Sequence, residues 1–215
     1  MKSFLNTIRC DEKPISVSRQ IVDTFAIILL GIALGTFSKF IDNTAVNELP
    51  FIFGYLDIGN FLGRFAIWVL IAGCISIYSN SSIRAAINVF VFFTGMVTSY
   101  YLYSKFVAGF FPRSYAMIWF GFTAISPLLA FICWYAKGKS KLAFALSAII
   151  IAFLFNMSFY YGMTYFGMRS ILELIVFICG LAVLKRNTIK GSVIMTAIGV
   201  IVAFVLKLLH PFHFG

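Results

Sequence analysis

IVDTFAIILLGIALGTFSKFI, residues 21–41, is a run of 21 residues whose only charges, Asp23 and Lys39, lie toward its two ends. At 1.5 Å per residue such a run covers about 30 Å as a helix, the thickness of a bilayer's hydrocarbon core. The run therefore reads as a membrane-spanning helix, and the rest of the chain repeats the pattern. Residues 60–78, 85–107, 114–136 and 191–209 are similar runs, and 142–184 is a stretch of 43 residues, long enough for two spans joined by a hairpin near 162–167. The count is seven spans, or six if the 17-residue segment 168–184 is re-entrant. Lipid leaves helices or a closed barrel as the ways to satisfy a backbone, and the alternation of a barrel is absent. The expected fold is an all-α polytopic transmembrane bundle.

Composition supports this over the whole length. Of 215 residues, 61% are hydrophobic, 18% aromatic and 11% charged, which excludes both a water-soluble domain and a disordered chain. The net charge of +10 comes from 17 Lys and Arg against 7 Asp and Glu, but the cations sit in short breaks between apolar runs, which argues against nucleic-acid binding. With the N-terminus in the cytoplasm, 11 of the 17 cations face inward, among them Arg9, Lys13, Arg84, Lys137 and Arg186, and six face outward. Short-loop Lys and Arg favour the cytoplasmic side, so N-in is expected. Residues 1–20 lack the apolar core of a cleavable signal and read as an interfacial leader. Residues 21–209 form one transmembrane domain, and 210–215 form a short tail. The breaks between runs leave no room for an extramembrane domain.

The outward group contains the residues with most to explain. Lys39, Arg64, Lys105, Arg113 and Arg169 come from different spans and gather at one end, with Tyr101 and other tyrosines nearby. They form either interfacial anchors with local ion pairs (Lys39 with Asp42, Arg19 with Asp23, Arg169 with Glu173) or a basic, tyrosine-lined vestibule for an anionic or aromatic solute. Glu173 lies inside a short span and needs neutralising by Arg169, by another helix or by a proton. Asn88 and Asn156, within spans, read as interhelical hydrogen-bond partners. Gly31 and Gly35, and Gly59 and Gly63, have the small-xxx-small spacing of close helix packing. Ser126-Pro127 marks a kink within a span.

Nothing in the chain points to catalysis or to a cofactor. HExxH, GxSxG and GxxxxGK[ST] are absent. Cys10, Cys74, Cys133 and Cys179 have no CxxC or Cys/His spacing, and His210 and His213 lack a third ligand for a metal. GNFLGRF at 59–65, RAAINVF at 84–90, GMVTSYYLYS at 95–104 and FFPRSYAMIWF at 110–120 together resemble a family of small uncharacterised bacterial multi-pass membrane proteins. That resemblance implies a shared fold and a bacterial plasma-membrane setting, and carries no activity. In size and in Gly31-xxx-Gly35 the chain also resembles the substrate-binding membrane subunits of energy-coupling-factor vitamin importers, which have fewer spans. The expectation is a non-enzymatic membrane protein that binds or moves a small solute. The alternative is an accessory or scaffold subunit docking another membrane protein, or a second copy of itself, through its glycine faces.

Overall fold

The computed structural model describes residues 2–10, 15–162 and 164–209, and most of them are helical. Helix α1 (Lys2–Ile8) precedes α2 (Val17–Asn43), and after a short 3-10 turn come α3 (Phe51–Tyr55) and α4 (Ile58–Gly63). Then follow α5 (Ala66–Ile77), α6 (Ser82–Phe106), α7 (Arg113–Tyr135) and α8 (Lys141–Ser158). Strands β1 (Phe159–Tyr161) and β2 (Phe166–Met168) form an antiparallel hairpin with Tyr160 opposite Gly167, and α9 (Ile171–Leu184) and α10 (Ile189–Leu209) complete the chain. Five of these helices, α2, α6, α7, α8 and α10, are long and apolar enough to cross a membrane, whereas α5 and α9 are shorter.

Serine hydroxyls set where four helices begin, because each accepts a backbone N–H that the first turn leaves without a partner. Ser16 accepts from Arg19 N at α2, Ser81 from Arg84 N at α6, Ser140 from Ala143 N at α8, and Ser170 from Leu172 N and Glu173 N at α9. The structure corrects two expected spans, one of them through the Ser170 cap. Residues 168–184 do not begin as a helix, since Met168 belongs to β2 and α9 starts after Ser170; likewise the turn expected between two helices at 162–167 is flanked by β-strands. Residues 60–78 are interrupted at Arg64 and Phe65, between α4 and α5. The break frees the Leu62 carbonyl, and the Trp68 indole N–H donates to it at 2.8 Å, so the interruption leaves no orphan acceptor there.

Two packed groups share α5. On one side α2, α6 and α7 enclose Trp68, Phe92, Met96, Val97, Tyr101 and Ala116. On the other, α8, α9 and α10 enclose Ile151, Leu154, Phe155, Val176, Phe177 and Met195 together with Ala66 and Ile77 of α5. The α2–α6 contact is close because glycines let backbone meet backbone. A Cβ on Gly31 would overlap the Phe92 carbonyl, one on Gly35 the Met96 carbonyl, and one on Gly95 would lie 2.8 Å from the Ile28 carbonyl. Gly59 and Gly63 do not act this way: a Cβ at Gly59 would find only Ile41, at 3.8 Å, and one at Gly63 nothing within 4 Å. A second small-residue seam, Ala148 and Ala152 of α8 against Gly199 and Ala203 of α10, takes the role expected of that pair; the buried alanines leave room for Ile151 to sit against Gly199.

The leader is not a separate arm. Ile8 is buried, its carbonyl accepts from Lys139 N at 3.2 Å, and Gly138 has no room for a Cβ beneath it. Helix α1 thus docks on the end of the bundle where α5, α7 and α9 terminate, called the α1 end below; the opposite end carries the β-hairpin. The tail 210–215, with His210 and His213, and Lys13 of the leader lie outside the described residues.

Candidate functional site

The hairpin end gathers most of the residues singled out in the sequence, but divides them into separate groups. In the first, Lys39 in the last turns of α2 reaches Asp42 at 2.6 Å, and the Tyr100 hydroxyl of α6 donates to the same Asp42 oxygen at 3.1 Å. The Lys39 ammonium also sits 5.3 Å from the centre of the Tyr100 ring. Spacing of i,i+3 brings Lys39 and Asp42 together, as expected, and Tyr100 joins them from a neighbouring helix.

In the second group, Arg64 occupies the break between α4 and α5, where its extended backbone turns the side chain toward α9. Its NH1 lies 2.5 Å from Glu173 Oε1, and Glu173 is fully buried. The Ser170 hydroxyl, besides capping α9, hydrogen-bonds the other carboxylate oxygen, while Ser158 Oγ donates to the Glu173 carbonyl at 2.9 Å. Of the ways to neutralise Glu173, the structure uses another helix. Arg169 stands close enough to both Arg64 and Glu173 for their charges to act on it. Breaking a buried pair of this kind costs far more than its net contribution, because one charge is left without compensation.

Lys105 and Arg113 belong to neither group. Both are exposed beside the α6–α7 turn, where Gly109 takes a positive φ of 70° and Ser104 Oγ donates to the Phe110 carbonyl. The five cations therefore share an end of the bundle without forming one basic surface. Among the described residues, Arg19 and Asp23 make no ion pair.

Between the first group and the α4–α5 break lies a pocket of about 50 Å³. Its walls include Asp42, Trp68, Tyr100, Tyr101, Tyr115 and Trp119. Tyr101 is only 4% exposed, and its hydroxyl has no hydrogen-bond partner among the described residues. Its ring is fixed by Tyr100, Phe111 and Phe120 at centroid distances of 5.1, 5.7 and 6.0 Å. Trp119 is stacked on Phe65 at 4.9 Å, so the residue after Arg64 also braces the wall. A buried hydroxyl without a partner is costly, and pockets that hold one are places where a ligand or water supplies the missing bond. No group of three or more His, Cys, Asp or Glu side chains among the described residues is arranged to hold a metal ion.

Asn88 and Asn156 do the work expected of intramembrane amides. Asn88 Nδ2 donates to Ser79 Oγ while its Oδ1 accepts from Thr24 and Arg84; Asn156 donates to Ala203 O of α10 and accepts from Tyr161. What the sequence reading missed is at the α1 end, where cations close helix C-termini. Arg9 donates to the carbonyls of Ile77 and Trp134, Lys137 to those of Val183 and Lys185, and Arg186 to those of Ala136, Gly138 and Ala143. Burial lowers the Lys137 pKa, and nearby Arg186, Lys185 and Arg9 lower it further. The sequence places each cation beside a helix end, but the carbonyls it closes belong to other helices, so only the fold pairs them.

The chain matches no family model, no curated protein and no solved structure.

Proposed function

We propose that this is a non-enzymatic multi-pass protein of a bacterial plasma membrane that binds, and in moving it transports, a small solute at the aromatic pocket of its hairpin end. In this reading the chain crosses seven times, with α4 and α5 together making the second crossing and the hairpin with α9 completing the sixth. The α1 end faces the cytoplasm, because Arg9, Arg84, Lys137, Lys139, Lys141, Lys185, Arg186 and Lys190 collect there. The bacterial setting rests on the family resemblance of residues 59–120.

The observation that carries the reading is the Tyr101 hydroxyl, buried without a partner in a pocket walled by other aromatic rings. The lining favours an aromatic solute over a purely anionic one, since Lys39 and Arg64 already face carboxylates. The pocket's size admits a hydroxyl or similar polar head, with the rest of the solute resting on exposed Tyr115 at its mouth.

A screen of small aromatic alcohols, phenols and aromatic acids by thermal unfolding of the purified protein tests this. Tyr101→Phe should unfold at a higher temperature than wild type without solute, reflecting the about 1–3 kcal/mol cost of an unsatisfied buried hydroxyl, and should lose the solute-dependent rise. A Tyr101→Phe protein that keeps its full response would remove the pocket from consideration. The accessory-subunit reading is favoured by the outward faces of α2 and α10, whose span windows are only 17% buried. It would have to use those faces, since Gly31 and Gly35 are consumed against α6; a stoichiometric partner on mild extraction would support it.

A further inference from the structure

At the α1 end an open groove of about 460 Å³ runs between α2 and α6, and its chemistry changes along its length. Val17, Ile21, Phe25 and Ile28 of α2 and Ile87 and Val91 of α6 make it apolar, while Gln20, Thr24 and Arg84 make one end polar. From Val17 to Ile28 it extends about 17 Å along α2, close to the depth of one leaflet's hydrocarbon. Arg84 is held in place through NH2 alone. Its NH2 donates to Gln20 O at 2.9 Å, to Thr24 Oγ1 at 2.5 Å and to Asn88 Oδ1 at 3.1 Å, all neutral acceptors. Its Nε and NH1 make no hydrogen bond among the described residues, and no carboxylate there pairs with it. Asp23, the nearest acid on α2, is not part of the lining.

A guanidinium fixed at the polar end of an apolar, leaflet-deep groove matches one ligand chemistry: a phosphodiester headgroup with an acyl chain attached. With NH2 engaged, the Nε–H and NH1 donors are left to hydrogen-bond phosphate oxygens, and the apolar walls take the chain. We infer that the α2–α6 groove is a binding site for an anionic phospholipid, with the phosphate on Arg84 and an acyl chain along Ile21, Phe25, Ile28, Ile87 and Val91. The inference rests on the reading that α2 and α6 cross a membrane. Carbonate extraction of cell membranes checks that reading separately: a chain released by carbonate would sink it, whatever its lipid preference.

The experiment is native mass spectrometry and thermal unfolding of the full chain in detergent, with phosphatidylglycerol, phosphatidylcholine and inorganic phosphate as the probes. Wild type should retain phosphatidylglycerol and be stabilised by it, with phosphatidylcholine, whose choline cation offsets the charge of the same phosphate, bound about fivefold more weakly. Arg84→Gln should erase that preference. Since Arg84→Gln also disturbs the bonds to Thr24 and Asn88, Ile87→Trp provides the second arm: it fills the groove, leaves Arg84's partners intact, and should lose phosphatidylglycerol while remaining folded. Equal binding of the two lipids by wild type, or phosphatidylglycerol retained by Ile87→Trp, overturns the site. An equal stabilisation by inorganic phosphate alone overturns the lipid as the source of the anion.

Discussion

Glu173 and Arg64 show how one buried pair can be separated from its surroundings by substitution. Glu173 sits fully buried with Arg64 on one oxygen and Ser170 on the other, so Arg64→Met alone should cost about 3–5 kcal/mol by leaving the carboxylate uncompensated. Replacing both, Arg64→Met with Glu173→Leu, should recover most of that loss, because a well-packed apolar pair of similar size substitutes for an ion pair at little net cost. Thermal unfolding of the four members of the cycle measures it; a double variant as unstable as the single would mean that Arg64 holds the break between α4 and α5 by some other contact. The sequence identified both residues but not their pairing. Arg169 is four residues from Glu173, so local spacing pointed there, whereas Arg64 is brought in by a helix interruption that hydropathy does not register. The Tyr101 pocket was legible only as a density of tyrosines, since composition cannot say which hydroxyl lacks a partner.

At the scale of the element, the α2–α6 pair depends on glycines that meet carbonyls. Gly35→Ala puts a methyl where the Met96 carbonyl lies, and overpacking of this sort costs about 1–3 kcal/mol, so the unfolding temperature should fall. Gly63→Ala, with open space around it, serves as the control and should be silent or slightly stabilising through better helix propensity. A silent Gly35→Ala would mean that α2 and α6 are not in direct backbone contact. Both glycine pairs have the same spacing in the sequence, which is why spacing alone did not rank them. What separates them is the partner helix: Phe92 and Met96 present carbonyls to Gly31 and Gly35, while nothing faces Gly63. In α7, the helix runs unbroken through Pro127, where a kink was expected, and the Thr123 carbonyl that loses its donor accepts instead from Ser126 Oγ at 2.8 Å.

Across the whole molecule, the helical class and the approximate place of the five long helices follow from apolar run length, because only burial in lipid or in other helices accommodates such runs. The ends follow from capping, which hydropathy averages over. Met168 is apolar enough to extend α9, but Ser170 satisfies the first-turn N–H groups and the helix starts three residues later, at Ile171. The packing of the two groups around α5 depends on which faces carry alanine and glycine, so it needed the structure. At this scale the central test is Arg186, whose guanidinium reaches four acceptors on α7, α8 and the turn between them. Arg186→Lys keeps the charge but not the fork of donors, and should lose about 2 kcal/mol or more of stability, measured by unfolding in detergent; a Lys that fully replaces it would mean that charge alone suffices there.

The cations at the α1 end carry a further consequence for how the protein reaches its orientation. In the orientation proposed above, the side chains that a translocation apparatus would count as retained on the near side include those that complete the ends of α5, α7 and α9. Deleting Arg9, Lys137 or Arg186 to invert the chain would therefore also loosen it, because in the proposed orientation each is both a topological signal and a hydrogen-bond donor. A population selected for inverted insertion would accordingly acquire new lysines and arginines at the hairpin end and keep every cation it already had.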